Sequence, residues 1–181
     1  MPRSSQQPTT GNRQRKNREG LRVLGVDPGF GRAGVAVVER ERGKDILLYS
    51  ACVVTSPQEP FVKRLGAVAA VVKQLIARFK PELVALERVY FSKNQRTAMQ
   101  VAEVRGALLA LAAARRLPVA EFGPGEVKIA VTGAGNSGKR ELIAMLPRLI
   151  AIPAAKRLDD EYDAIAIALT ALASHRAARA E

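Results

Sequence analysis

The order and spacing of the apolar segments predict a mixed α/β domain: five strands in one sheet, with helices on both faces. Three observations lead there. The chain has 181 residues, 48% hydrophobic and 25% charged, so it can bury a sizeable core as one domain and is not a long disordered chain. Three strand-like runs come first. After them strands alternate with helical segments, in the order βββαβαβααα, which is the pattern of a mixed sheet. No internal repeat is visible.

Residues 1–20 have almost no apolar content and read as a disordered basic arm. From Leu21, RVLGVD is a short apolar run ending at Asp-Pro-Gly, a strand entering a turn. GVAVVER is the second strand, and DILLYSACVVT, rich in β-branched residues, is the third. A helix is expected from Phe61 to Phe79, where Leu65, Val68, Val72, Leu75, Ile76 and Phe79 recur at helical spacing and Pro81 stops the pattern. ELVALE is the fourth strand and ends in Glu87. The polar stretch RVYFSKNQRT leads to a helix over Ala98–Arg116, and Pro118 introduces the fifth strand, PVAEF. GPGEVKIAVTG predicts a short helix, GAGNSG a flexible loop, and KRELIAMLPRLI a helix interrupted near Pro147. A last helix spans Asp160–Arg176 with AIAIALTALA buried, leaving 177–181 as a flexible tail; the folded domain is thus 21–176.

Charge narrows the function. Lys and Arg number 29 against 17 Asp and Glu, a net charge of +12, of which the arm supplies only +4. That balance favours a polyanionic partner, most often nucleic acid. One cysteine, Cys52, excludes a disulfide scaffold or a cysteine-rich zinc site, and one histidine, His175, excludes any His-pair motif. Cys52, within a strand, reads as an inert core residue, and His175 as a dipole partner near a helix C-terminus. The longest apolar run is about eight residues, short of the ~20 that span a bilayer, and no secretory signal is present. The expectation is a reduced, cytoplasmic protein with no membrane association.

Four carboxylates stand out by position. Asp27 ends the first strand, Glu87 ends the fourth, and Asp160 and Asp163 share one face at the start of the last helix, at ~5–6 Å between β-carbons. Ends of parallel strands lie on one edge of an open sheet, so all four converge if the last helix packs its first turn there. Each alone has a structural reading: turn chemistry for Asp27, a polar strand end for Glu87, an acidic first helical turn for Asp160 and Asp163. Together they form an oxygen-rich cluster of the kind hard divalent cations need. Two such ions ~3.5–4 Å apart can clamp a phosphodiester and activate the attacking water. Without metal, like charges ~6 Å apart repel by roughly 2–3 kcal/mol at an effective dielectric near 20.

GVDPGFGRAGVAV, ALERVYFSKN, EVKIAVTGAGNSGK and DDEYDAIAIALTA together resemble, in order and separation, the crossover junction endodeoxyribonuclease RuvC family, over about Leu21–Ser174. The resemblance implies a ribonuclease-H-like fold, a homodimer, and resolution of four-way (Holliday) junction DNA by paired symmetric nicks in recombination and repair. It places Asp27, Glu87, Asp160 and Asp163 at the family's catalytic metal positions, with two Mg²⁺ per site and Mn²⁺ as a substitute. RuvA and RuvB are the implied helpers. The arm is extra relative to usual family members.

DNA contacts are expected from Tyr90, Lys93, Lys128, Lys139 and Arg140. Tyr90 stands where the family places a stacking aromatic, next to Lys93. Phe91 reads as core. GAGNSGKR nearly matches a P-loop but has Arg140 where a hydroxyl residue is needed, so Lys139 is read as a phosphate contact instead. Lys128 matches a second functional lysine of the family. The alternatives are a non-catalytic junction-binding protein and a ribonuclease-H-like nuclease acting on RNA–DNA hybrids.

Overall fold

The structure is a computed structural model that describes residues 20–88, 95–153 and 156–180. Its elements are β1 (Leu21–Asp27), β2 (Arg32–Glu41), β3 (Lys44–Val54), α1 (Phe61–Phe79), β4 (Leu83–Glu87), α2 (Gln95–Ala114), β5 (Val119–Phe122), α3 (Pro124–Thr132), α4 (Lys139–Leu149) and α5 (Asp159–Ala180). The five strands form one sheet in the order β3-β2-β1-β4-β5. β3, β2 and β1 pair antiparallel, as strands joined by short turns can; β1, β4 and β5 pair parallel, which needs the helical crossovers α1 and α2. The expected mixed sheet with helices on both faces is therefore present, in the ribonuclease-H-like arrangement.

Strand alternation divides the core in two. Leu24, Val26, Val35, Val37, Val84 and Leu86 pack against α1 and α2 through Val68, Val72, Leu75, Val104 and Leu108. Val23, Ala36, Val38 and Ala85 pack on the opposite face, against α5 and the α3–α4 layer beyond it. α5 is sandwiched between that face and this outer layer, so Ala164–Leu172 is buried all round and shows no polar stripe.

α5 lies unusually close to the sheet. A Cβ built on Gly25 would come within 2.3 Å of the Ala164 carbonyl oxygen, and one on Gly34 within 1.7 Å of the Asp160 carbonyl oxygen. Both glycines are therefore required by the approach of α5. The start of the helix is held from the other side as well. Arg157 pairs with Glu161 at 2.8 Å and donates to the Pro153 carbonyl at 2.6 Å, while the Ser50 hydroxyl on β3 donates to Glu161 at 2.6 Å.

Several expectations need correction. α2 ends at Ala114 rather than Arg116, because Arg116 turns left-handed (φ 53°) and the Leu117 amide donates back to the Ala112 carbonyl. Glycine usually marks such a stop, and here an arginine takes it. α4 continues through Pro147 to Leu149, with Pro147 on its exposed side two residues before the end. α5 continues to Ala180, beyond the expected end at Arg176, which places His175 more than a turn before the helix end. GAGNSG is a tied turn: the Thr132 hydroxyl meets Ser137 Oγ at 2.7 Å and accepts from the Ala134 amide at 3.2 Å, and Ser137 is buried. Cys52 is half-buried, not core, and lies opposite Gly34 on β3. The short-run argument about membranes was too simple: Thr97–Ala114 of α2 is long and apolar enough, by length and composition, to cross a bilayer. Here that helix packs Val104, Leu108 and Ala112 into the core. The arm through residue 19, Tyr90, Phe91 and Lys93 lie outside the described residues.

Candidate active site

Side-chain alternation aims the two strand carboxylates. In β1, Val23 faces α5 whereas Leu24 and Val26 face α1 and α2, so Asp27 falls on the α5 side. In β4, Ala85 faces α5 and Leu86 faces away, so Glu87 falls on that side too. Val26 pairs with Leu86 in the parallel ladder, which sets Asp27 and Glu87 side by side at the strand ends. Asp27 is also opposite Gly34, and the Asp160 carbonyl lies directly over that glycine. Asp160 and Asp163, in the first turns of α5, are thereby brought over the same edge, where the helix N-terminus favours negative charge.

The four sequence-identified carboxylates are close enough to act on one another. Burial, with the charges of Glu87, Asp163 and Asp160, pushes the Asp27 carboxyl up from 3.8 to about 8, against a smaller opposing pull from Lys139. Glu87 is also raised, by burial first and then by Asp163, with a hydrogen bond to Asp27 working the other way. Asp163 is raised by burial, and its hydrogen bond and charge pairing with Lys139 oppose that. Burial and like charge thus favour keeping a proton on the Asp27 side of this pair near neutral pH. The Cys52 thiol is raised by burial and then by Asp160, which keeps it protonated and inert.

Each helix carboxylate meets a cation. Lys139 Nζ, from the first residue of α4, contacts Asp163 Oδ2. Arg32 Nε lies 3.2 Å from Asp160 Oδ2, but without hydrogen-bonding geometry, so that buried oxygen has no hydrogen-bond partner. Arg32 is the residue that sequence reasoning missed. Its position, five residues after Asp27 at the start of the next antiparallel strand, was the available signal.

A cavity of about 270 Å³ opens beside the carboxylates, lined by Glu87, Asp163, Lys128 and Lys139 over an apolar floor of Val127, Leu142 and Ile167. It therefore brings Lys128 and Lys139 to the site; Arg140 is exposed and does not line it. At the start of α4, Glu141 Oε2 accepts from the Gly138 amide at 3.0 Å.

The residues present fit hard divalent cations. The donors are all carboxylate oxygens, one buried oxygen is orphaned, and positive charge would relieve the repulsion that holds a proton on Asp27. Among the described residues no three carboxylates stand in ligating geometry, and Lys139 engages one of the four.

A pH dependence follows. The folded chain keeps the Asp27 proton up to about pH 8, whereas the unfolded chain releases it near 3.8, so the fold binds more protons between those values. Metal-free stability therefore falls as pH rises through that window. Thermal melts in EDTA at pH 5 and pH 8 should give the lower midpoint at pH 8. A midpoint that rises would mean Asp27 is not held protonated by its neighbours.

The comparisons with known proteins agree with this architecture. Residues 23–171 match the family described as Crossover junction endodeoxyribonuclease RuvC. A RuvC from Leifsonia xyli subsp. xyli is 43% identical over 150 residues, covering 82% of this chain and 72% of the relative. One from Thermomicrobium roseum is 39% identical over 162 residues, covering 89% and 98%. Among solved structures, Thermus thermophilus RuvC in complex with Holliday junction substrate superposes with a TM-score of 0.82 at 36% identity, covering 87% of this chain and 96% of that one. With a family match over most of its length and relatives near 40% identity, the chain belongs to the crossover junction endodeoxyribonuclease RuvC family.

Proposed function

We propose that this protein is a structure-selective endodeoxyribonuclease that resolves Holliday junctions by paired symmetric nicks. The observation that carries the reading is the convergence of Asp27, Glu87, Asp160 and Asp163 on one sheet edge, beside a cavity walled by Lys128 and Lys139. The Thermus relative bound to a Holliday junction supports the choice of substrate.

Asp27, central in the cluster, would hold two Mg²⁺ ions together with Glu87, Asp160 and Asp163; Mn²⁺ would substitute. Bound there, the ions supply Lewis acidity to the scissile phosphate and lower the pKa of the attacking water. The protein's own contribution is to fix the carboxylates on rigid elements and to hold the strand. Lys128 and Lys139 bind phosphate, and the Tyr90–Lys93 segment stacks on a base and grips its flanks. Attack by water leaves no covalent intermediate and gives a 5′-phosphate and a 3′-hydroxyl.

Two sites related by a twofold axis match a twofold junction, so the working species is a homodimer, acting in the cytoplasm with RuvA and RuvB as helpers. The net charge of +12 suits a DNA partner, and no membrane partner is needed.

The test is cleavage of a labelled four-way junction, with Mg²⁺ or EDTA, beside linear duplex and an RNA–DNA hybrid. Paired nicks confined to the junction and lost in EDTA are expected. Cutting of the hybrid instead would retain the site and replace the substrate; binding without cutting in any metal would make the protein a junction-binding module.

A further inference from the structure

The two cations at the carboxylate cluster are placed differently from ordinary phosphate contacts. Lys139 reaches Asp163 from the first turn of α4, and Arg32 reaches Asp160 from the first residue of β2, so each guards one carboxylate of α5 from an opposite side. Both cations are much more exposed than the carboxylates they meet: 56% against 17% for Arg32 and Asp160, and 41% against 27% for Lys139 and Asp163. The carboxylates are fixed in a helix turn, whereas the long, half-exposed side chains have room to swing outward. Neither contact is a two-pronged carboxylate grip of the kind Arg40 makes on Asp45 through both Nε and Nη2 at 2.7 Å. A partly exposed, single-contact ion pair is weak and exchanges readily.

We propose that Arg32 and Lys139 are exchangeable counterions: they hold Asp160 and Asp163 while the site carries no divalent cation, and turn to backbone phosphates of the scissile strand once it does. This rests on the metal-site reading above and deepens it. The same two positive charges serve either the carboxylates or the DNA, never both. Metal loading therefore frees the DNA grip, and by reciprocity bound DNA, by occupying Arg32 and Lys139, leaves the carboxylates open to metal. The order has a chemical use, since the strand is gripped tightly only when the site is able to cut it.

Lys128 supplies the control. It lines the same cavity as Lys139, yet among the described residues it makes no ion pair with the cluster.

The experiment is Mn²⁺ binding by calorimetry to the DNA-free protein, for wild type, Lys139→Gln, Arg32→Gln, Lys128→Gln and Asp163→Asn, each with a thermal melt in EDTA to establish folding. Lys139→Gln and Arg32→Gln should each bind Mn²⁺ about fivefold tighter or more, because no internal cation has to leave. Lys128→Gln should bind it as wild type does. Junction affinity, read by anisotropy on a junction with phosphorothioate linkages at the crossover, should rise on adding Mn²⁺ to wild type and rise less in Lys139→Gln. If wild type binds Mn²⁺ and Asp163→Asn does not, but Lys139→Gln and Arg32→Gln leave the affinity unchanged or weaker, the exchange is wrong and the metal site stands. If wild type binds no Mn²⁺, or Asp163→Asn binds it equally well, the site reading fails and the exchange fails with it. Arg32→Gln decides alone should Lys139→Gln not fold.

Discussion

Asp27→Asn is expected to cut junction cleavage by more than about a hundredfold while leaving junction binding in EDTA intact. Losing even an outer-shell partner of a metal ligand costs 10–100-fold as a rule, and the proposed function makes Asp27 a metal ligand itself. The amide keeps the size of the carboxyl and can still hydrogen-bond Glu87, so neither the β1–β4 ladder nor the cavity needs to move. Lys128 and Lys139 keep their metal-free positions beside the cavity. The same substitution should raise the metal-free thermal midpoint at pH 8 by several degrees. It removes one of several like charges at a cost of roughly 2–3 kcal/mol per pair, and each kcal/mol moves the midpoint of a domain this size by about 2–4 °C. At pH 5 the gain should vanish, because Asp27 is already neutral there. Single-turnover cleavage, equilibrium binding and paired melts in EDTA check all three. A large fall in the pH 8 midpoint would make Asp27 a structural residue. Asp163→Asn is a less clean probe, since it leaves Lys139 without its carboxylate.

Gly34→Val should abolish cleavage without touching a single carboxylate. Any Cβ there would overlap the Asp160 carbonyl, which lies 1.7 Å from its position, and the Ala164 methyl at 3.2 Å blocks a lateral escape. The first turn of α5 must lift from the sheet, carrying Asp160 and Asp163 away from Asp27 and Glu87. Overpacking of this kind costs about 1–3 kcal/mol or more, and a displacement of about 1 Å alone can cost a hundredfold in rate. The discriminating readout is Mn²⁺ binding by the folded variant: it should be lost with the activity. Retained binding and cleavage would mean the α5 contact with β2 does not set the site. Gly25→Val should be still more destabilising, because it collides with the Ala164 carbonyl and the Ala168 amide in the middle of the helix seam.

The carboxylate set was legible because each member sits where a sequence rule marks a boundary. Asp27 and Glu87 end apolar strand runs, and Asp160 and Asp163 open a helix with an acidic first turn. Their common direction was legible in principle too, since alternation from Val23 and Ala85 dictates it. The bounds of α1 were fully readable, as its apolar stripe is bracketed by Pro60 and Pro81. The end of α2 was not, because Arg116 takes a left-handed stop that glycine ordinarily signals. Nor was the fate of Pro147, which stands on the exposed face of α4 two residues before its end although proline ordinarily breaks a helix interior.

Sequence by itself thus determined the order of elements, the sheet's mixed character, the four acidic positions and the basic charge that suits DNA. These depend on local periodicity, turn chemistry and composition, which act over a few residues or none. Only the tertiary structure decided that α5 lies against Gly25 and Gly34, that Arg32 and Lys139 cap its carboxylates, and that Lys128 walls the neighbouring cavity. Those relations join segments more than a hundred residues apart in the case of Arg32 and Asp160. They arise because a helix that must bury every face can do so only where two strands carry no side chain to hold it off.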